Sequence, residues 1–262
     1  MPDVKRISNK KQLADYFQRN IYLHIYSLGD LDEFFWPLTE YYGEEHAGKV
    51  ERVLTLYKGG TSPTLLALGS KEDLSHQDLK KILPYLPESF EAHLSPDLES
   101  TFYPTHEIVS HGAHYKMGLA KTEKLIAIST QAVTALNSNH LKEIQNLYQT
   151  SYPENWFDPR MLQTGQYFGV WQENKLVSIA GVHVYSPSYR AAALGNITTH
   201  PDFRNQGLGK QVTTALCRSL LQKVDVIGLN VKSSNRPAIS CYEKLGFEVK
   251  AAYNEFSLQK KH

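Results

Sequence analysis

Arg204-Asn205-Gln206-Gly207-Leu208-Gly209 leads directly into a long stretch of helical periodicity, and that junction governs how the second half of the chain is read. The first N–H groups of a helix have no acceptor within it, and the helix dipole makes that end attractive to anions. Gly207 and Gly209 let phosphate oxygens approach the backbone. Arg204, at the strand-to-helix junction, can add a charge-assisted hydrogen bond or fix the turn. By itself the hexapeptide fits an ordinary glycine turn as well as a pyrophosphate cradle, so its neighbours decide. Leu208, Val212, Ala215, Leu216, Ser219 and Leu220 recur at helical spacing and set one face of the following helix against a sheet.

Upstream, residues 133–136 read as a strand, and Asn137 or Ser138 caps a helix over 140–148 with Leu141, Ile144, Leu147 and Tyr148 on one face. A polar and aromatic loop follows, Tyr152-Pro153-Glu154-Asn155-Trp156-Phe157-Asp158-Pro159. Residues 166–172, 175–185 and 191–199 read as three antiparallel strands, joined by Glu173-Asn174 and by Ser186-Pro187-Ser188-Tyr189-Arg190. Downstream, residues 226–231 form a buried strand. Asn235 and Pro237 open a helix, Gly246 ends it, and residues 247–258 supply the last strands.

Strand, Arg-x-x-Gly-x-Gly, helix, strand, then Asn235-Arg236-Pro237-Ala238-Ile239-Ser240-Cys241-Tyr242-Glu243-Lys244-Leu245-Gly246-Phe247: this ordered set resembles the GNAT superfamily of acetyl-CoA-dependent N-acetyltransferases. The resemblance covers about half the chain and rests on two motifs about thirty residues apart with the right elements between them. A dinucleotide-binding fold would need an early βαβ unit with Gly-x-Gly-x-x-Gly and an acidic residue at the next strand end. Gly209-Lys210-Gln211 breaks the pattern of a nucleoside-triphosphate loop.

The resemblance implies an α/β (α+β) fold, a mixed and mostly antiparallel twisted sheet flanked by helices. It implies acetyl-CoA as cosubstrate, no metal, and direct attack of a primary amine on the thioester in a ternary complex. Ile197, Thr198 and Thr199 then end the strand that pairs with the pantetheine arm. Arg204, Asn205, Gln206, Gly207, Leu208, Gly209 and Lys210 form the pyrophosphate loop. Asn235 contacts the CoA arm or is a plain N-cap; Tyr242 protonates the departing thiolate or is a core tyrosine.

Many members carry a glutamate or histidine on the strand before the turn. Here that place falls on Ala193 or Gly195, and neither can relay a proton. With the turn at 186–190 centred on Ser188, an antiparallel register sets His183 directly opposite Ala193 with its side chain on the same face, and His183 is read as the substitute base or as a structural strand histidine. His200, beside Pro201, is read as shaping the turn.

A chain of 262 residues suits two domains, divided here as 1–125 and 126–262. The first half reads as a smaller α/β domain: a helix over 9–19, a strand over 21–26, and strands over 50–57 and 64–68 around the turn Lys58-Gly59-Gly60-Thr61-Ser62-Pro63. A helix over 74–83 starts at Ser75 or Asp73 and stops at Pro84 and Pro87. The half lacks both motifs, and its order of elements is that of a diverged copy without a cofactor site. Phe34-Phe35-Trp36 and Tyr41-Tyr42 read as core, with an acceptor wall or a dimer contact as the other reading; a homodimer stays open. His106, His111 and His114 read as loop or polar-strand histidines and not as a metal set.

With 28 Lys+Arg against 27 Asp+Glu, no broad electropositive surface for nucleic acid is expected. No apolar stretch approaches the roughly 20 residues that span a bilayer, and the two cysteines, Cys217 and Cys241, fall in helical segments without metal-ligand spacing. These features predict a reduced, cytoplasmic protein without membrane or nucleic-acid partners. The implied acceptor is a small-molecule or peptide amine. A non-catalytic acyl-CoA-binding sensor or scaffold, and an N-acyltransferase using a longer acyl-CoA, are the competing readings.

Overall fold

The computed structural model describes residues 4–46, 48–60, 62–70 and 74–261; Thr61 and Asp73, placed above in a turn and at a helix start, lie outside them. In chain order the elements are β1 (Lys5–Arg6), α1 (Lys10–Phe17), α2 (Ile25–Gly29), β2 (Thr39–His46), β3 (Lys49–Tyr57), β4 (Thr64–Ala67), α3 (His76–Ile82), β5 (Ser89–Leu94) and β6 (His106–Leu119). There follow β7 (Val133–Ala135), α4 (Leu141–Ser151), β8 (Phe168–Gln172), β9 (Lys175–Ser186), β10 (Ala191–Thr199), α5 (Leu208–Leu220), β11 (Val226–Lys232), α6 (Arg236–Lys244) and β12 (Phe247–Lys260). The chain divides into two units, one of residues 1–116, 232–234 and 250–262, the other of residues 117–231 and 235–249.

In the first unit the strand order is β1-β2-β3-β4-β5-β12-β6. β1 to β4 run antiparallel, β5 lies parallel to β4, and β12 is antiparallel to β5. In the second unit β7 to β10 run antiparallel and β11 lies parallel to β10. A parallel step needs a crossover connection, supplied by α3 in one unit and by α5 in the other. The same order therefore occurs twice: an antiparallel run of four strands, a helix, and a parallel fifth strand. The division falls at 116/117 and not at 125/126, and the end of the chain returns to the first unit, where residues 254–259 of β12 pair with β5. Sequence order assigns a C-terminal strand to the half it follows, whereas strand pairing is a long-range choice.

Three further expectations are corrected. Residues 21–26 are not a strand: α2 starts at Ile25, and Leu28 N–H donates to the His24 carbonyl. Leu23, Ile25, Leu28 and Leu31 are all buried, so the short apolar run belongs to helical turns; runs of this length do not separate the two periods. Residues 247–260 are one strand and not several. On α5, Thr213 and Cys217 are buried beside Leu208, Val212, Leu216 and Leu220, while Ala215 and Ser219 are only half-buried. The Thr213 hydroxyl donates to the Gly209 carbonyl at 2.7 Å, which lets a polar residue face the interior. The aromatic segments of the first half are core: Phe35 and Tyr41 are fully buried, and Trp36 stacks on Tyr41 at 5.6 Å.

Two contacts tie residues 120–130 to the helices of the second unit. Arg218 donates to the carbonyls of Leu125, Ile126 and Ile128 and to the Thr130 hydroxyl. Gly246, with φ +96, carries its α-carbon against the Lys121 carbonyl, into which a Cβ would collide. Gly246→Ala combines a left-handed backbone with a backbone clash, and should cost about 2–3 kcal/mol, read as a lowered thermal midpoint; an unchanged midpoint would show that residues 120–122 move aside freely.

Candidate active site

β9 and β10 carry two compensating irregularities. Ala191 to Ala193 pair with Ser186, Tyr185 and Val184, Leu194 and Gly195 pair with Val182 and Gly181, and Thr198 and Thr199 pair with Ile179 and Ser178. His183 is thus an extra residue on β9, and β10 carries an extra residue at Asn196–Ile197, where Asn196 has φ +55. Bulges of this kind bend a strand and re-aim its side chains. β10 is paired with β11 only over Ala191 to Leu194, so its second half leaves its parallel neighbour just where the bulge begins.

The predicted register is corrected by one residue. The turn is four residues long, with Arg190 at φ +51, Tyr189 N–H donating to the Ser186 hydroxyl and Arg190 N–H donating to the Pro187 carbonyl. Val184, not His183, therefore stands opposite Ala193. The bulge nonetheless carries the imidazole to the other position considered: a Cβ built on Gly195 would fall inside the His183 ring. The ring is half-buried and lies 5.6 Å from that of Trp156, centroid to centroid.

Beneath the bulges is a buried polar chain. Tyr148 of α4 donates its hydroxyl proton to the Asn196 carbonyl at 2.9 Å. The Asn196 amide donates to the Tyr167 hydroxyl at 3.0 Å, which in turn donates to the Val182 carbonyl at 3.0 Å. Phe157 packs against both tyrosines, so the loop at 152–159 is anchored over this chain. Sequence reasoning took Tyr148 as core and did not single out Tyr167 or Asn196. The available signal was an asparagine beside a glycine inside a strand, a combination that marks a bulge.

At the start of α5 the sequence-predicted loop residues come together. Asn205 and Gly207 are left-handed, with φ of +63 and +78, and follow Arg204 in an extended conformation. Gly207 caps α5 without a side-chain hydrogen bond, and the first turn holds no acidic residue. The first intrahelical bond is from Gln211 N–H to the Gly207 carbonyl, which leaves the N–H groups before it without an acceptor in the helix. A Cβ on Gly209 would meet only Thr199 Oγ1, at 3.5 Å, and one on Gly207 only Lys210 Cε, at 3.9 Å. The space is open on the side where an anion would lie.

Arg204 is exposed and donates to the Thr199 carbonyl at 3.2 Å, a bond that fixes the turn. Asn205 and Gln206 are exposed; the Leu208 side chain is buried, leaving only its backbone to the loop. Ile197 and Thr198 lie, together with Thr199, in the half of β10 that is not paired with β11. His200 shapes the turn as expected: its Nδ1 accepts from Asp202 N–H at 3.4 Å, and Lys175 lies 3.1 Å from Nε2.

The first unit differs at the corresponding places. There β4 and β5 stay paired to Ala67 and Leu94, Ser95 N–H donates to the Ala67 carbonyl beyond them, and the Ser95 hydroxyl bridges to Gly69. The Ser75–Asp78 capping box sets a carboxylate at the start of α3. His111 contacts the Ser257 hydroxyl, and His114 pairs with Glu255. Among the described residues no group of three or more His, Cys, Asp or Glu side chains is disposed to hold a metal ion, and no helix is long and apolar enough to cross a membrane.

Asn235 is the N-cap of α6, its side chain accepting from Ala238 N–H at 3.2 Å. Seven residues on, Tyr242 is 9 % exposed and packs edge-on against Phe247 at 5.9 Å. Burial holds its phenol well above the ordinary range, with smaller contributions from Cys241 and Tyr152. Burial likewise raises both thiols, against the opposing pull of Lys210 and Lys244 on Cys241. A thiol kept protonated is a poor nucleophile.

Residues 134–247 match the family model for the acetyltransferase (GNAT) family. The chain carries a GNAT acetyltransferase domain and is an acyltransferase. The [ribosomal protein bS18]-alanine N-acetyltransferase of Escherichia coli K12 is 29% identical over 120 residues, which are 44% of this chain and 79% of that enzyme. Among solved structures, a Drosophila protein superposes with a TM-score of 0.73 at 9% identity, over 98% of this chain and 99% of that one. A tandem GNAT protein from the clavulanic acid biosynthesis pathway superposes with a TM-score of 0.55 at 14% identity, over 99% and 98%. At these identities the likeness is one of fold, and it extends over both units.

Proposed function

We propose that the protein transfers an acetyl group from acetyl-CoA to a primary amine by direct attack in a ternary complex, with the cosubstrate held by the second unit alone. The N–H groups at the start of α5 take the pyrophosphate, the half of β10 not paired with β11 takes the pantetheine arm, and Asn235 adds a contact from the N-terminus of α6. The first unit, with β4 and β5 zipped to their ends and a carboxylate at the start of α3, serves as scaffold.

A typical alkyl amine has a pKa near ~10 and must lose a proton to attack a thioester. His183 accepts that proton, directly or through water. The carbon–nitrogen bond then forms as the carbon–sulfur bond breaks; Tyr242 donates its proton to the departing thiolate, and the second proton, released by the acylated nitrogen, returns through water to the phenolate. Desolvation that raises the phenol raises any thiolate in the same place as well, which keeps donor and acceptor matched. The observation that carries this reading is the imidazole of His183 filling the volume that a side chain on Gly195 would occupy: the base reaches the cleft from β9 in place of β10.

The test is a pH–rate profile with a panel of primary amines: free alanine, lysine, spermidine and a peptide beginning with alanine, the last chosen because the bS18 enzyme acts on alanine. An imidazole becomes a competent base as pH rises through ~6.5. Without it the amine must deprotonate unaided, so His183→Ala should raise the pH at which kcat/KM reaches its plateau and leave CoA affinity unchanged. Adding Gly195→Glu to that variant places a carboxylate in the vacated volume and should recover part of the lost rate at neutral pH. An unmoved profile with a lowered melting point would assign His183 to packing. Mass spectrometry of CoA thioesters that copurify reads the acyl length.

A further inference from the structure

The two bulges meet at one atom. Tyr167 is fully buried, and its hydroxyl accepts from the Asn196 amide of β10 and donates to the Val182 carbonyl of β9. The second of these groups belongs to the peptide that leads into His183. The first belongs to the residue after Gly195, over which the imidazole lies. Gly181 makes room for the tyrosine, since a Cβ there would fall within its ring. Tyr148 holds the same asparagine from the other side, through its carbonyl, and this keeps a non-glycine residue at φ +55, in the left-handed region that asparagine tolerates. A phenol has one proton to give and lone pairs to receive; here both capacities are used, one on each strand.

We propose that Tyr167 is a positioning residue of the transfer reaction: through its hydroxyl it couples the β9 bulge that presents His183 to the β10 bulge that opens the cleft, and so sets the imidazole against the acyl end of the site. This rests on His183 being the base. The hydrogen bonds of Tyr167 go to Asn196 and Val182 and none to the loop at 204–210, so its loss acts on the chemical step and spares pyrophosphate binding. A displacement of the base by a fraction of an ångström to 1 Å is worth about 10- to 100-fold in rate.

The experiment compares Tyr167→Phe, His183→Ala and the double variant in the full chain, with CoA affinity, melting point, and kcat and KM for the best amine of the panel. His183 is also followed by NMR of histidine-labelled protein, its signal identified by its loss in His183→Ala. Tyr167→Phe should shift or broaden the His183 ring signal, lower kcat about 10- to 100-fold with CoA affinity unchanged, and add little in the His183→Ala background. A purely structural tyrosine would lower the melting point alone, leaving the His183 signal and kcat at parental values; that result overturns the proposal, as does a full additional loss in the double variant. Failure of the base assignment is distinct: His183→Ala would leave the pH–rate profile in place. The ring signal requires no acceptor, so it decides whether Tyr167 positions His183 even if no amine of the panel is turned over.

Discussion

Gly209→Asp is expected to abolish CoA binding in a protein that still folds. Gly209 has an ordinary negative φ, and the Cβ position meets only the Thr199 hydroxyl at 3.5 Å, so the substitution is accommodated without backbone strain. Its carboxylate enters the open space before the first turn of α5, where the proposed pyrophosphate would lie. Two like charges about 4 Å apart repel by on the order of 4 kcal/mol at the effective dielectric of a protein surface, or about a thousandfold in Kd. Gly207→Glu should have the same effect with an added folding cost, because Gly207 sits at φ +78. Calorimetry with CoA reads both quantities: the parental chain should bind one CoA, and Gly209→Asp none at the same concentrations. Parental affinity in a folded Gly209→Asp protein removes the cradle, and a stoichiometry of two removes the assignment of the first unit as scaffold.

Tyr242→Phe should retain CoA affinity and lower kcat by roughly ten- to a thousandfold, around the scale for losing a general acid. The ring, its edge-on contact with Phe247 at 5.9 Å and the packing of α6 are all retained, so a stability loss does not confuse the measurement. Burial keeps the phenol protonated through neutral pH, so the lost rate should be roughly constant from mildly acidic to mildly alkaline conditions. Turnover at the parental rate across that range would assign Tyr242 to the core and leave the thiolate to be protonated by water.

How far each of these residues could be read from the chain follows from the range of the interactions involved. The α5 loop was legible because everything it needs is local: two glycines, a positive φ at Gly207 and a helix start all lie within six residues. Asn235 as an N-cap, Gly246 as a helix stop and His200 as a turn residue were legible for the same reason. The α5 face was misjudged at Thr213, whose burial depends on a bond to Gly209 that periodicity does not report.

A GNAT-type second half, its loop and its α6 cap were all legible in the chain, along with a first half that has strands and helices but neither motif. That the first half repeats the strand order, that the last strand returns to it, and that His183 reaches Gly195 and not Ala193 emerged with the folded arrangement. The reason is physical: a helix start or a turn is chosen by neighbours in the chain, whereas strand pairing and register are chosen by partners far along it. A single extra residue in one strand, His183, shifts the pairing by one until the second bulge at Asn196–Ile197 restores it, and the buried bonds of Tyr167 that span that irregularity join residues 15 and 29 positions apart.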